Sequence, residues 1–415
     1  MLLTSQTTIK PSSEYYSLFD EFCFKAKNLY NAALYKLREA YFGSRALITY
    51  NSLDKILKCE KSVDYSNMPM AASAQWTLQT LCKAWKSFWS STKTYLANPE
   101  KFIGKPKIPG YLHKTKGRSV VYLTNQNVNV KDGVLHFPKS FKGFTIPTDL
   151  SNEDIKQVRI VPKNRHVVVE IVYNMQVVSM KEDNSRYLGL DLGLDNFVAA
   201  ASNDGSQPIL INGKGLKSLN KHWNKRISHL REVETAMNGE WVTTKSGMAK
   251  ISRQTKQQAI LTNKRNNQVR DFCHKASRMI IDIALERECN TIIAGKNDGW
   301  KHESKMSKNV NQSFVQIPHS IFLDMLNYKC KIHGLNLILT EEAHTSKTSW
   351  LDDEFPSHQE RYLGKRVSRG LFKSAHGTLI NADVNGALQI VKKVFPKAKA
   401  DGIWAYGQPL RVNIS

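Results

Sequence analysis

The sequence has no CxxC pair; its six cysteines, Cys23, Cys59, Cys82, Cys273, Cys289 and Cys330, stand far apart. That excludes a disulfide framework and a cysteine-built zinc site, and the thiols are expected as small buried hydrophobes. No run of about 18 apolar residues suggests a membrane-crossing helix. The opening MLLTSQTTIKPSSEYY lacks the basic-then-apolar order of a secretory leader, so a cytoplasmic protein is expected. Internal repeats and low-complexity tracts are missing as well. Acid is scarce: 36 Asp and Glu face 60 Lys and Arg, a formal charge of +24 spread along the chain rather than gathered in a tail. Solubility needs far less, so a polyanion is the expected partner, with a solvated surface or a membrane surface as the blander alternatives.

What is present suits two domains of unequal size, since the chain has 415 residues and 41% of them are hydrophobic. Apolar residues recur at helical spacing from Ser17 to Phe42 (Phe19, Phe22, Ala26, Leu29, Tyr30, Ala33, Leu37), and a second helix is expected from Ala71 to Leu96. Trp76 and Trp85 on that second helix either stack on bases or, as aromatics at helical spacing usually do, form a core seam. After GKPKIPGY the pattern turns to strands, with a hairpin signal at Lys131-Asp132-Gly133. The predicted layout is a β-rich domain from residues 1–15 and 100–180, a helical insertion at 16–99, an α/β domain at 187–402 and a tail at 403–415. Lys105, Lys107, Lys114, Lys116 and Arg118 lie on a proline-stiffened loop suited to phosphate contacts.

Two acidic positions carry chemistry. In YLGLDLGLDNFVAA an apolar strand presents Asp191 just before Gly193, an arrangement able to hold Mg²⁺ near a phosphate. In LINADVNGALQIV, Asp383 begins a helix, where an ordinary N-cap is the alternative. Two carboxylates at opposite ends of one α/β domain, in so basic a chain, are what a metal nuclease of RNase H type needs. Hydrolysis of a phosphodiester uses two Mg²⁺ ions about 4 Å apart, and holding them takes at least three carboxylates. A third is therefore owed.

The segments GLDLGLDNFVA, RNNQVRDFCHKASRMIIDIA, HTSKTS and INADVNGALQI, in this order and spacing, resemble the RuvC-type nuclease domain of the TnpB family, transposon-encoded relatives of the type V CRISPR effectors. The N-terminal half fits the same family through AWKSFW, GKPKIPGY and LTNQNVNVKDGVLHFPK. The resemblance implies a β-barrel wedge domain with a helical recognition insertion, then an RNase H-like RuvC domain. It also implies guide RNA and double-stranded target DNA as partners, no membrane, and recognition of a short target-adjacent DNA motif, with Asp191 and Asp383 as metal ligands.

Two departures stand out. Where the family places its glutamate, at the end of the strand TIIAGKN, this chain has Gly295 and Lys296. The neighbouring strand NLILTEE ends in Glu341 and Glu342, either of which reaches the same site if the two strands pair about 4.8 Å apart. Strand alternation allows one of them at most and does not choose between them. Second, the family's zinc-finger cysteines fall on Ser349, Asp352, Lys373 and His376, so no zinc is expected in the insertion at 348–377, whose Lys365, Arg366 and Arg369 either touch phosphate or are solvated. The expected activity is RNA-guided, Mg²⁺-dependent DNA cleavage. The alternatives are guided binding without cleavage, if no glutamate replaces the missing one, and an actin-like ATPase or sugar kinase, whose phosphate turn GLDLGLDN also resembles. Monomer and homodimer remain open, as do the guide, the target-adjacent motif and the cut pattern.

Overall fold

The computed structural model describes residues 1–44, 48–244, 247–296, 317–399 and 404–414. It divides into two compact units, Met1–Gln176 and Val177–Ser415.

The first unit opens with strand β1 (Leu2–Ile9) and helices α1 (Tyr16–Ser44), α2 (Tyr50–Cys59), the single turn α3 (Val63–Ser66) and α4 (Ala71–Ala97). Strands β2 (Val121–Thr124), β3 (Asn129–Lys131), β4 (Val134–His136), β5 (Thr145–Pro147), β6 (Ile155–Lys163) and β7 (His166–Asn174) follow. The helical periodicity of α1 buries Phe19, Phe22, Cys23, Ala26, Leu29, Ala33 and Leu37 in one core with Leu78, Leu81 and Trp85 of α4. The predicted hairpin forms between β3 and β4, with Asp132 and Gly133 both at positive φ (52° and 73°), the geometry of a tight primed turn.

The expected barrel does not close. Among the described residues the strands form two separate sheets, β1-β7-β6-β2 and β3-β4-β5. Closure is one way for a sheet to hide an apolar face and its edges. Here α1 packs on β6 and α4 on β2, so helices cover the face that a barrel would have enclosed.

The second unit carries β8 (Tyr187–Leu192), β9 (Asn196–Ser202), β10 (Ile209–Asn212), α5 (Lys214–Asn238), β11 (Glu240–Thr244), β12 (Gly247–Ile251) and α6 (Lys256–Glu286). It continues with β13 (Thr291–Gly295), α7 (His319–Ile332), β14 (Asn336–Thr340), β15 (Lys365–Ser368), β16 (Leu371–Lys373), β17 (Leu379–Asn381), α8 (Ala382–Val394) and β18 (Leu410–Val412). The main sheet runs β14-β13-β8-β9-β10-β18, with β14, β13 and β8 parallel and β9 antiparallel to β8 and β10. Residues read as a tail thus supply a strand parallel to β10.

Alternation along β8 sets the layers. Leu188, Leu190 and Leu192 enter a core with α6 and α7, whereas Tyr187 enters a second core with Val384, Leu388 and Val391 of α8. Gly189 lies on the α8 side, where an added Cβ would fall 2.1 Å from the Ala387 carbonyl oxygen. The helix therefore rests directly on strand backbone. On β14, Leu337 packs with the first core and Ile338 with the second, while Leu339 is 45% exposed on this edge strand. No helix among the described residues is long and apolar enough to cross a membrane. Cys23, Cys273, Cys289 and Cys330 are buried as expected, but Cys59 is exposed on the last turn of α2.

Candidate functional site

Asp191 lies on the β8 face that α8 covers. Its carboxylate faces Gly386, where a Cβ would come within 2.7 Å of Oδ2. A glycine in a helix interior costs about 1 kcal/mol relative to alanine, and here it leaves room for the carboxylate. Burial, and repulsion from Glu342 and then Asp383, hold the Asp191 pKa well above the usual carboxylate range, while Arg366 opposes the rise.

Glu342 is the glutamate that the structure brings to Asp191. β13 and β14 pair in parallel with Gly295 opposite Thr340, and the ladder extends through the Lys296 N–H to the Thr340 carbonyl at 2.7 Å. Two residues beyond Thr340, the Glu342 side chain lies against Gly295: a Cβ there would be 2.3 Å from Oε1 and 2.4 Å from Cγ. The glycine at the strand end is the space that this side chain fills. Burial pushes the Glu342 pKa up to about 7. Thr345, from the HTSKTS stretch, donates from its backbone N–H (3.2 Å) and hydroxyl (2.9 Å) to the Glu342 carbonyl, fixing the backbone at this residue. Glu341 is exposed.

Asp383 is not the N-cap of α8. Asn381 caps the helix, its Oδ1 accepting from the N–H groups of Asp383 (3.0 Å) and Val384 (3.2 Å). That leaves the Asp383 carboxylate for other partners in the first turn, where the helix dipole favours an anion. Asn196 Nδ2 donates to its Oδ2 at 2.7 Å, and Arg366 Nη2 stands 3.7 Å from Oδ1. The other aspartate of GLDLGLDN, Asp195, pairs with Lys217 and Arg369, each at 2.9 Å, and the Lys217 hydrogen bond holds its pKa below the usual range. His319 Nε2–H donates to the Gly193 carbonyl at 3.2 Å, bracing the turn after Asp191.

Among the described residues, no three His, Cys, Asp or Glu side chains stand close enough to hold an ion as they are arranged. Their chemistry nonetheless fits a hard divalent cation. Asp191 and Glu342 are desolvated oxygen donors, and Glu342 and Asp383 both repel Asp191, a state that a bound cation relieves.

The loop after Glu342 is pinned to α8. Asn385 accepts from the Trp350 N–H (3.0 Å) and donates to the Thr348 carbonyl (2.8 Å); Gln389 donates to the Glu354 carbonyl, and Lys393 to that of Ala343, each at 3.0 Å. Buried Glu354 accepts from the N–H groups of Ser349 and Leu363, and Lys392 pairs with Asp353 under the Trp350 ring. At the positions aligned with zinc-finger cysteines, the Asp352 carboxylate accepts from the Ala375 N–H at 2.8 Å, while Lys373 and His376 are exposed. Asn196, Asn385, Glu354 and His319 were missed from the sequence. Asn196 ends the GLDLGLDN motif and was within reach; the others have no local signature.

The basic loop divides. Lys105, Lys107, Lys114 and Lys116 are exposed, but Arg118 forms a two-pronged ion pair with Asp20 at 2.8 and 2.6 Å and so is not free for phosphate. Trp85 is 4% exposed and packs against Tyr41 and Phe88, which excludes base stacking there; Trp76 is half-buried, stacked on Tyr122 with Lys83 over its ring.

Comparisons with known proteins agree with this architecture. The probable-transposase family OrfB_IS605 matches residues 170–301, and the Cas12f1-like TNB domain matches 319–390. The mini-RNA-guided endonuclease CRISPR-Cas phi3 is similar in structure with a TM-score of 0.50 at 11% identity, over 97% of this chain and 94% of its own. CasPhi-2 (Cas12j) bound to crRNA follows with 0.46 and 9%, over 94% and 98%, and the Cas12f1–sgRNA–target DNA complex with 0.37 and 16%, over 94% and 98%. The search of curated proteins found no match. The fold is thus a mixed α/β fold similar to that of type V CRISPR effectors. The two family models place the likeness to TnpB-like proteins on residues 170–301 and 319–390.

Proposed function

We propose that this chain is an RNA-guided DNA endonuclease whose second unit is an RNase H-like nuclease domain of RuvC type, with Asp191, Glu342 and Asp383 as its catalytic carboxylates. The observation that carries this reading is Glu342, whose side chain occupies the space left by Gly295 beside Asp191. The match to the OrfB_IS605 model, and the fold shared with the mini-RNA-guided endonuclease CRISPR-Cas phi3, support the same activity. The three carboxylates are the residues that would hold Mg²⁺, which supplies a hydroxide-generating and charge-neutralising centre when bound. The chain's own contributions are positional: Asn196 orients Asp383, Thr345 fixes the backbone at Glu342, and Gly386 of α8 leaves room for the Asp191 carboxylate. Arg366, on the β15 hairpin, donates to the Arg369 carbonyl and stands beside Asp383, where its charge offsets that of the carboxylates.

The test uses the protein with its copurifying RNA and a DNA matching that RNA, in Mg²⁺. Asp191→Asn and Glu342→Gln should each lower cleavage by on the order of a thousandfold, against about twofold or less for Glu341→Gln. Equal losses at Glu341 and Glu342 would refute the assignment. Guide-dependent binding with no cleavage in the unaltered protein would favour the guided-binder alternative.

A further inference from the structure

In the first unit, α1 holds the loop that follows α4 along its length. Arg38 Nη2 donates to the Pro109 carbonyl at 2.6 Å. Asn31 makes a reciprocal pair with Leu112, accepting from its N–H and donating to its carbonyl, both at 2.9 Å. Lys27, itself 2% exposed, donates to the Lys114 carbonyl at 2.6 Å, and Asp20 takes Arg118. The order is antiparallel: as the loop numbers rise from 109 to 118, the helix numbers fall from 38 to 20. The intervals also match. Seven residues of helix between Asn31 and Arg38 rise about 10 Å, and three residues of extended chain between Pro109 and Leu112 reach about 10 Å. Pro106 and Pro109 hold their own φ and push Lys105 and Ile108 toward extended backbone.

Three of these four attachments go to loop backbone, so they fix the path without consuming the lysine side chains. Lys105, Lys107, Lys114 and Lys116 all remain exposed, and among the described residues none of them pairs with a carboxylate.

We infer that residues 105–116 form a stiffened rail that binds the phosphodiester backbone of one nucleic-acid strand without reading its sequence, with Asn31, Arg38 and Lys27 as its positioning residues. The inference extends the proposed function but is tested by binding alone, so loss of cleavage bears only on the earlier reading. The ligand chemistry is common to guide RNA and target DNA, and two probes separate them.

The full-length protein is titrated with a labelled single-stranded RNA and a labelled DNA duplex between 50 and 200 mM salt. With Lys105, Lys107, Lys114 and Lys116 all changed to Gln, the slope of log affinity against log salt should shrink on one probe by about 0.9 per lost contact for duplex, or about 0.7 for a single strand. Four contacts give about 3.6 or about 2.8, and the probe that responds identifies the strand. These residues are exposed, so the variant keeps its fold. Asn31→Ala changes no charge, and should remove about half of the same slope. An unchanged slope on both probes in the four-lysine variant overturns the rail, and so does a full slope in a folded Asn31→Ala protein.

Discussion

α1 of the first unit and α8 of the second do the same mechanical work with opposite electrostatic results. Each presents polar side chains along one face and hydrogen-bonds them to an irregular segment: Arg38, Asn31 and Lys27 hold residues 109–114, and Asn385, Gln389 and Lys393 hold residues 343–354. Along α1 the charges of the held loop are left in water. Beside α8 the carboxylates of Asp191 and Glu342 are partly withdrawn from it, and both hold their protons more tightly than usual. On the proposed function, the difference follows from what each surface would meet: polyanion binding draws on exposed cations that release counterions, whereas bond cleavage needs donors in a low dielectric that hydration does not compete for.

The comparison breaks most visibly at Gly295. Gly295→Ala puts a methyl where Glu342 lies, and since a flexible side chain yields more easily than backbone, cleavage should fall about a hundredfold with little loss of stability. Adding a carboxylate on β13 while removing the one after β14, as Gly295→Glu with Glu342→Ala, should recover a measurable part of that rate; no recovery would argue that the position, not just the charge, is fixed by β14. Asn196→Ala frees Asp383 and should cost 10- to 100-fold, roughly the range for a residue that orients a ligand, with DNA affinity unchanged in a filter-binding assay.

Smaller effects test the clamp itself. Asn385→Ala leaves the Trp350 N–H and the Thr348 carbonyl without their partner, at about 1–3 kcal/mol each when buried. Thermal unfolding of the second unit should drop by several degrees, roughly 2–4 °C per kcal/mol for a domain of this size. The smallest expected effect is at Lys329, which reaches from α7 to the His274 carbonyl and the Ser277 hydroxyl and whose pKa burial pushes down to about 8 from the usual 10.5. Between those values the unfolded chain binds more protons than the folded one, so this residue makes stability rise with pH from about 8 to 10.5. Lys329→Met should flatten that rise in urea titrations; an unchanged rise would place its origin elsewhere.

Much of this was legible in the residues. The long helices, the Asp132–Gly133 hairpin and the pairing of β13 with β14 all follow from local pattern. The closed barrel did not form, because sheet closure depends on what covers the apolar face, and strand patterns alone do not say whether that cover is helix or strand. The role of Arg118 was also hidden, because its partner Asp20 lies 98 residues away.

By itself, the sequence determined the chemistry: a strongly basic chain, carboxylates at Asp191 and Asp383, a glycine where a third was owed, and two glutamates one strand over. Tertiary structure decided which glutamate lies beside Asp191. Side chains alternate along a strand, so the choice depends on which face of the sheet α8 covers, a long-range packing outcome that Leu337 and Ile338, equally apolar, leave open. Once α8 rests on Gly189, Asp191 and Glu342 share its side of the sheet, and the missing side chain of Gly295 becomes the space that Glu342 fills.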